Sequence, residues 1–161
     1  MVKKASNEKT NVSRLLDQKK IDYEMRCYAE TDALAGLEVA EALGEEPGQV
    51  FKTLVTIGAS KRNYVFMVPV DRELNLKKAA KAVGEKSIEM IKAKELLPLT
   101  GYVHGGCSPI GMKKVFPTVI HETAANYEKI YFSGGKIGYQ VYCSLEDLRK
   151  VVDVESADIV E

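Results

Sequence analysis

The stretch "VFKTLVTIG" (50–58) decides how this chain is read. It is rich in β-branched and aromatic residues. Pro47 precedes it, the turn "ASKRN" (59–63) follows, and then comes a second apolar run, "YVFMVPV" (64–70). Two such runs around a short turn predict a hairpin. In a strand, alternate side chains share a face. Phe51, Thr53, Val55 and Ile57 make one face, and Val50, Lys52, Leu54 and Thr56 the other. Lys52 therefore stands among aliphatics, where an ammonium is costly unless it reaches water, a carboxylate or a ligand. Two readings are open. The stem lies on apolar surface while the charge escapes to solvent, or the amine sits at the floor of a pocket and meets an electronegative substrate atom.

Working outward, "NVSRLLDQKK" (11–20) carries apolar residues at helical spacing, and "IDYEMRCY" (21–28) alternates as a strand does. "DALAGLEVAEALG" (32–44) and "NLKKAAKAVG" (75–84) predict helices closed by Gly44 and Gly84, the second capped by Asn75. "VFPTVIH" (115–121), "KIYFSGG" (129–135) and "YQVYC" (139–143) predict strands, and "SLEDLRKVV" (144–152) a helix capped by Ser144. Strands cluster instead of alternating strictly with helices. The expected class is α+β: a mixed, strongly curved sheet or partial barrel of six to seven strands with surrounding helices. Residues 11–161 are expected to form a single domain behind a flexible N-terminus (1–10).

The composition is that of a globular chain: 45% of the 161 residues are hydrophobic and 29% charged, enough for a core without disulfides. No apolar stretch of membrane-spanning or signal-peptide length occurs. Three dispersed cysteines and two histidines argue against a structural zinc site and suit a reducing cytoplasm. Equal numbers of acidic and basic residues, 23 each, argue against a broad DNA-coating surface. "KKAAK" (77–81), "KAK" (92–94) and "KK" (113–114) leave room for local basic patches.

Two glycine-rich segments stand out, "GGCSPIG" (105–111) and "SGGKIG" (133–138). Glycines let the main chain approach a ligand and aim successive N–H groups at an anion or carbonyl. Neither segment matches a phosphate-binding loop of the nucleotide hydrolases or a dinucleotide fingerprint.

The segments "VFKTLV", "VPVDRELNLKKAAKAVG", "TGYVHGGCSPIGMKK", "PTVIHETA" and "IYFSGGKIG" occur in register over about residues 11–160. In this the chain resembles the YbaK/EbsC family of free-standing aminoacyl-tRNA deacylases, relatives of the editing domain inserted in bacterial prolyl-tRNA synthetases. It looks closest to the branch associated with Cys-tRNA(Pro) and other Cys-tRNA. The resemblance implies a site: Lys52 as the essential strand lysine, with Thr53 beside it; Tyr28 at the end of the first strand; Gly105, Gly106, Ser108 and Pro109 around a GxxxP element at the aminoacyl pocket; and Ser133, Gly134 and Gly135 in the second loop. This chain departs from the family in two places. Gln140 stands where the family often has Asp, so a carboxylate role there is absent or replaced, and Cys107 stands where an aliphatic residue is commoner.

The resemblance further implies hydrolysis of a mischarged ester on the 3′-terminal adenosine of tRNA, with no metal and no cofactor. The ester is already activated, so positioning and oxyanion stabilisation are the main demands. Main-chain N–H groups of 105–108 or 133–135 are the candidate donors, and Lys52 offsets charge or holds phosphate or sugar. With a cysteinyl ester the substrate's own thiol can attack its carbonyl. The implied partners are the tRNA acceptor end and prolyl-tRNA synthetase, in the cytoplasm. Other readings stay open: a preference for another small ester such as alanyl, a thiol hydrolase using Cys107 with His104, a Schiff-base Lys52, and a non-catalytic tRNA- or synthetase-binding module.

Overall fold

A computed structural model describes residues 3–4, 9–28 and 36–161. Most of the segment 1–10, expected to be flexible, and the first residues of the predicted helix 32–44 lie outside them. Nine strands and five α-helices are found among the described residues, joined by three short 3₁₀ turns. They are β1 (Lys3–Lys4), α1 (Asn11–Gln18), β2 (Glu24–Cys27), α2 (Gly36–Leu43), β3 (Phe51–Gly58), β4 (Asn63–Pro69), α3 (Leu76–Val83), β5 (Ile88–Met90), α4 (Leu96–Thr100), β6 (Thr118–His121), β7 (Ile130–Ser133), β8 (Tyr139–Cys143), α5 (Leu145–Arg149) and β9 (Val154–Ala157). No helix among the described residues is long and apolar enough to cross a membrane.

The strands form two sheets, not one. The larger has the order β5-β3-β4-β6-β9, with β4–β6 and β6–β9 parallel and the rest antiparallel. The smaller, β1-β2-β8-β7, is antiparallel throughout. An isolated parallel bridge between Val50 and Tyr131 joins them at the start of β3. The α+β class and mixed pairing hold, but the sheets do not close into a barrel, and the predicted count of six to seven strands falls short. The missed strands β1, β5 and β9 are two to four residues long, too short to show a period.

Residues 64–70, a continuous apolar run in the sequence, are buried throughout. That is the mark of a central strand covered on both faces. Val65 and Met67 of β4 face the main core, which α1 (Val12, Leu16), β7 (Phe132) and β8 (Val141) complete. Tyr64, Phe66 and Val68 face a second cluster closed by Ala79 and Ala80 of α3. The predicted caps of α3 are present: Asn75 accepts from the Lys78 N–H, and Gly84 ends the helix at φ 74°.

A candidate aminoacyl site at an open strand edge

The hairpin sets the geometry of the site. Along its full length β3 is paired to β4, with Lys52 opposite Val68 and Thr53 opposite Met67. On its other edge β5 reaches only residues 56–58, and the Ile91 N–H adds a bond to the Val55 carbonyl. At the strand's start the Val50–Tyr131 bridge ties that same edge to the smaller sheet. Between these two attachments the edge of β3 is open. Antiparallel pairing turns alternate main-chain groups to opposite edges. The Val50 carbonyl accepts from Val70 on the β4 side, and the Val55 carbonyl accepts on the other, so Thr53 presents its N–H and C=O to the open edge.

A cavity of about 180 Å³ lies there. Residues 50–54 all line it, from both strand faces, because it opens at the strand's edge and not beneath one face. The expected alternation itself holds, with Phe51 and Val55 in the main core and Leu54 against the second cluster. Val39, Val70 and Phe132 supply apolar wall, and Tyr28, Ser133 and Gln140 supply polar groups. Lys52 is the only Lys, Arg, Asp or Glu among the described lining residues. Its side chain is 25% exposed, and its Nζ lies 3.7 Å from Oε1 of the exposed Glu73, a loose pair that leaves the ammonium accessible.

The two glycine segments converge beside it. A Cβ on Gly106 would lie 3.0 Å from the Ile137 nitrogen, so the loops meet main chain to main chain. Gly105 takes φ 87°, a conformation that disfavours side chains. The Tyr102 hydroxyl, donating to the Ile110 carbonyl, and the Asn11 amide, donating to the Gly111 carbonyl, pin the first loop.

Of the residues expected at the site, Lys52, Thr53, Tyr28, Gly105 and Ser133 line the cavity. Gly106, Ser108, Pro109, Gly134 and Gly135 do not. Ser108 is fully buried, its Oγ accepting from the Ile110 N–H. Pro109 lines a separate groove, and Gly134 and Gly135 pack against Met25 and Val12. The N–H groups of Gly106, Gly134 and Gly135 are already spent on Val103, Tyr139 and Ser133. Of the main-chain donors expected at the loops, that leaves Gly105, Cys107 and Ser133 bordering the cavity.

Burial pushes the Cys107 thiol up to about 12. At neutral pH it stays protonated, which removes the thiolate that the Cys107–His104 reading requires. His104 also borders the cavity but is solvent-exposed.

Two residues absent from the expected site join a buried network behind the wall. Glu45 accepts from Arg26 Nη1 at 3.2 Å and from Gln140 Nε2 at 2.9 Å. The Arg26 guanidinium lies over the stacked rings of Tyr131 and Tyr142, 4.9 and 5.1 Å from their centroids. Burial pushes the Glu45 carboxyl above its ordinary range, against the opposing pull of Gln140 and Arg26. No sequence spacing announces this cluster, because its contacts span 19 and 95 residues.

The family model for the aminoacyl-tRNA editing domain matches residues 32–151. The chain is 44% identical to a protein of Enterococcus faecalis named as the Cys-tRNA(Pro)/Cys-tRNA(Cys) deacylase EbsC, over 99% of this chain and 98% of that one. It is 33% identical to a proline–tRNA ligase of Thermosipho africanus over 61% of this chain but only 17% of the ligase. A solved structure described as a trans-editing enzyme for prolyl tRNA synthetase superposes with TM-score 0.81 at 24% identity, over 96% of this chain and 99% of that one. A hypothetical protein superposes with TM-score 0.85 at 22% identity, over 94% and 100%. Both of these share the fold. The chain belongs to the aminoacyl-tRNA editing domain family.

Proposed function

We propose that the protein removes mischarged cysteine from tRNA, acting in trans on Cys-tRNA(Pro) and Cys-tRNA(Cys). The observation that carries this reading is the end-to-end likeness to the Enterococcus faecalis protein of that name. The small cavity with a lysine on its rim supports it: the volume suits a small aminoacyl group better than a nucleotide.

Lys52 offsets negative charge on the ester carbonyl or holds the terminal phosphate or ribose, while the N–H groups of Gly105, Cys107 and Ser133 are the candidate loop donors for the oxyanion. The cysteinyl thiol attacks its own carbonyl. A carbon–sulfur bond forms, the bond to the ribose oxygen breaks, the thiol proton ends on that oxygen, and the strained cyclic thioester then hydrolyses in water. The tRNA acceptor end is the bound partner, and prolyl-tRNA synthetase is the protein partner that the editing-domain likeness suggests.

Cys-, Ala-, Ser- and Pro-tRNA incubated with the protein test the substrate assignment. Fastest loss of cysteine is the expected result. Equal rates for all four esters remove the assignment, and tight tRNA binding without faster ester loss turns the reading to a binding module.

A further inference from the structure

We infer that Gln140 reads the free α-ammonium group of the aminoacyl ester, so that the cavity accepts amino esters and discriminates against N-acylated ones. The naming of the ligand rests on the deacylase reading; the geometry does not.

Gln140 is 3% exposed and lines the cavity. Its Nε2 donates to Glu45, which is not among the lining residues, and its Oε1 has no hydrogen-bond partner. The orientation is fixed from behind. Arg26 holds the Glu45 carboxylate in place, and turning the amide over would set its carbonyl oxygen against that carboxylate. The oxygen is therefore the end left for the cavity. A buried acceptor without a donor is costly, and such atoms call for a ligand or a water. A carboxylate hydrogen-bonded to the amide nitrogen polarises the amide and strengthens the oxygen as an acceptor, most of all toward a cation. Thr53 adds a second buried oxygen without a partner on the same cavity.

The cavity is thus polarised. Two residues on from the Val50–Tyr131 bridge lie Lys52 on β3 and Ser133 on β7, and Ser133 is paired with Gln140 on β8. Positive charge stands at Lys52 and a strengthened acceptor at Gln140. An aminoacyl ester has the matching polarity, a carbonyl oxygen that gains negative charge in the reaction and an ammonium on the adjacent carbon. The Glu45–Gln140 pair also supplies, at one remove, a carboxylate at a position where this chain has an amide.

The test uses 3′-cysteinylamino-3′-deoxyadenosine and its desamino counterpart, which keeps the thiol and the amide but lacks the amine, titrated into the protein by calorimetry. Wild type is expected to bind the amine-bearing analogue about tenfold to a hundredfold more tightly. Gln140→Met, which keeps the side-chain length and loses the acceptor, abolishes that preference, read as the ratio of the two affinities in the same variant. Glu45→Gln, which leaves an acceptor for Nε2 but no charge, reduces the preference by a smaller factor. No preference in wild type, or an undiminished preference in Gln140→Met, overturns the inference. Deacylation of Cys-tRNA is measured separately. Preference without deacylation counts against the proposed function alone, and deacylation without preference counts against this inference alone.

Discussion

Lys52 keeps its ammonium in reach of the cavity because the edge of β3 away from β4 lacks a neighbour along residues 52–54. Had β5 run the length of β3, the side chain would have had only solvent or the α3 side to go to. The position of this lysine in a strand was legible from period-two patterning alone. The open edge beside it was not, since it depends on where β5 stops and where β7 starts. Cys107 illustrates the opposite case. Its place next to His104 in a glycine loop suggested thiol chemistry, and only burial shows the thiol to be held protonated, near 12. Cys107→Ser is therefore expected to keep the deacylation rate near that of wild type, and iodoacetamide to label Cys107 far more slowly than an exposed cysteine at neutral pH. Loss of activity in that variant would restore the nucleophile reading. Thr53 gives a stability prediction. Its Oγ1 is buried without a partner, so Thr53→Val, similar in shape, is expected to leave the protein equally stable or more stable by up to about 1 kcal/mol. A thermal melt reads the change, and a fall in midpoint would show that the hydroxyl is bonded in solution.

At the scale of elements, α3 was readable because Asn75 and Gly84 bracket it with opposite, well-understood cap chemistry. α4 was hidden by Pro98, which sits in its first turn and reads as a breaker when met in sequence. The meeting of the two glycine segments is the feature on which the site most depends. Gly106→Ala would drive a methyl group toward the Ile137 nitrogen at 3.0 Å. Because the obstacle is main chain, the loops must part, and the variant is expected to lose deacylation efficiency along with about 1–3 kcal/mol of stability. The Arg26–Glu45–Gln140 network ties β2, β8 and the turn after α2 together. Since burial raises the Glu45 carboxyl in the folded state, its contribution to stability is complete below the unfolded Glu range and is lost as pH rises through the folded value. The stability advantage of wild type over Glu45→Gln is thus expected to shrink from about pH 4 to about pH 7. Urea melts at the two pH values measure it, and an advantage that grows with pH would mean that Arg26 outweighs the burial.

At the scale of the whole molecule, a net charge of zero gives no long-range attraction to tRNA, so binding has to rely on local clusters. Lys78 of the 77–81 cluster is committed to Asp158 and to the Val160 carbonyl, which leaves Lys77 and Lys81 exposed, along with Lys113 and Lys114. Charge reversal at Lys113 and Lys114 is expected to weaken tRNA binding and flatten its salt dependence, with little effect on a small adenosine analogue. The α+β class was legible from clustered strands. The division into two sheets was not, because it turns on a single bridge between Val50 and Tyr131, 81 positions apart in the chain. That division is what makes the cavity, and Lys52 is the charge it offers. The most direct measurement is the single-turnover rate of cysteine release from Cys-tRNA with wild type and with Lys52→Ala, both shown folded by circular dichroism. A fall of about a hundredfold or more is expected if the ammonium works against charge developing in a cavity shielded from water. Equal rates in the two proteins would contradict the account.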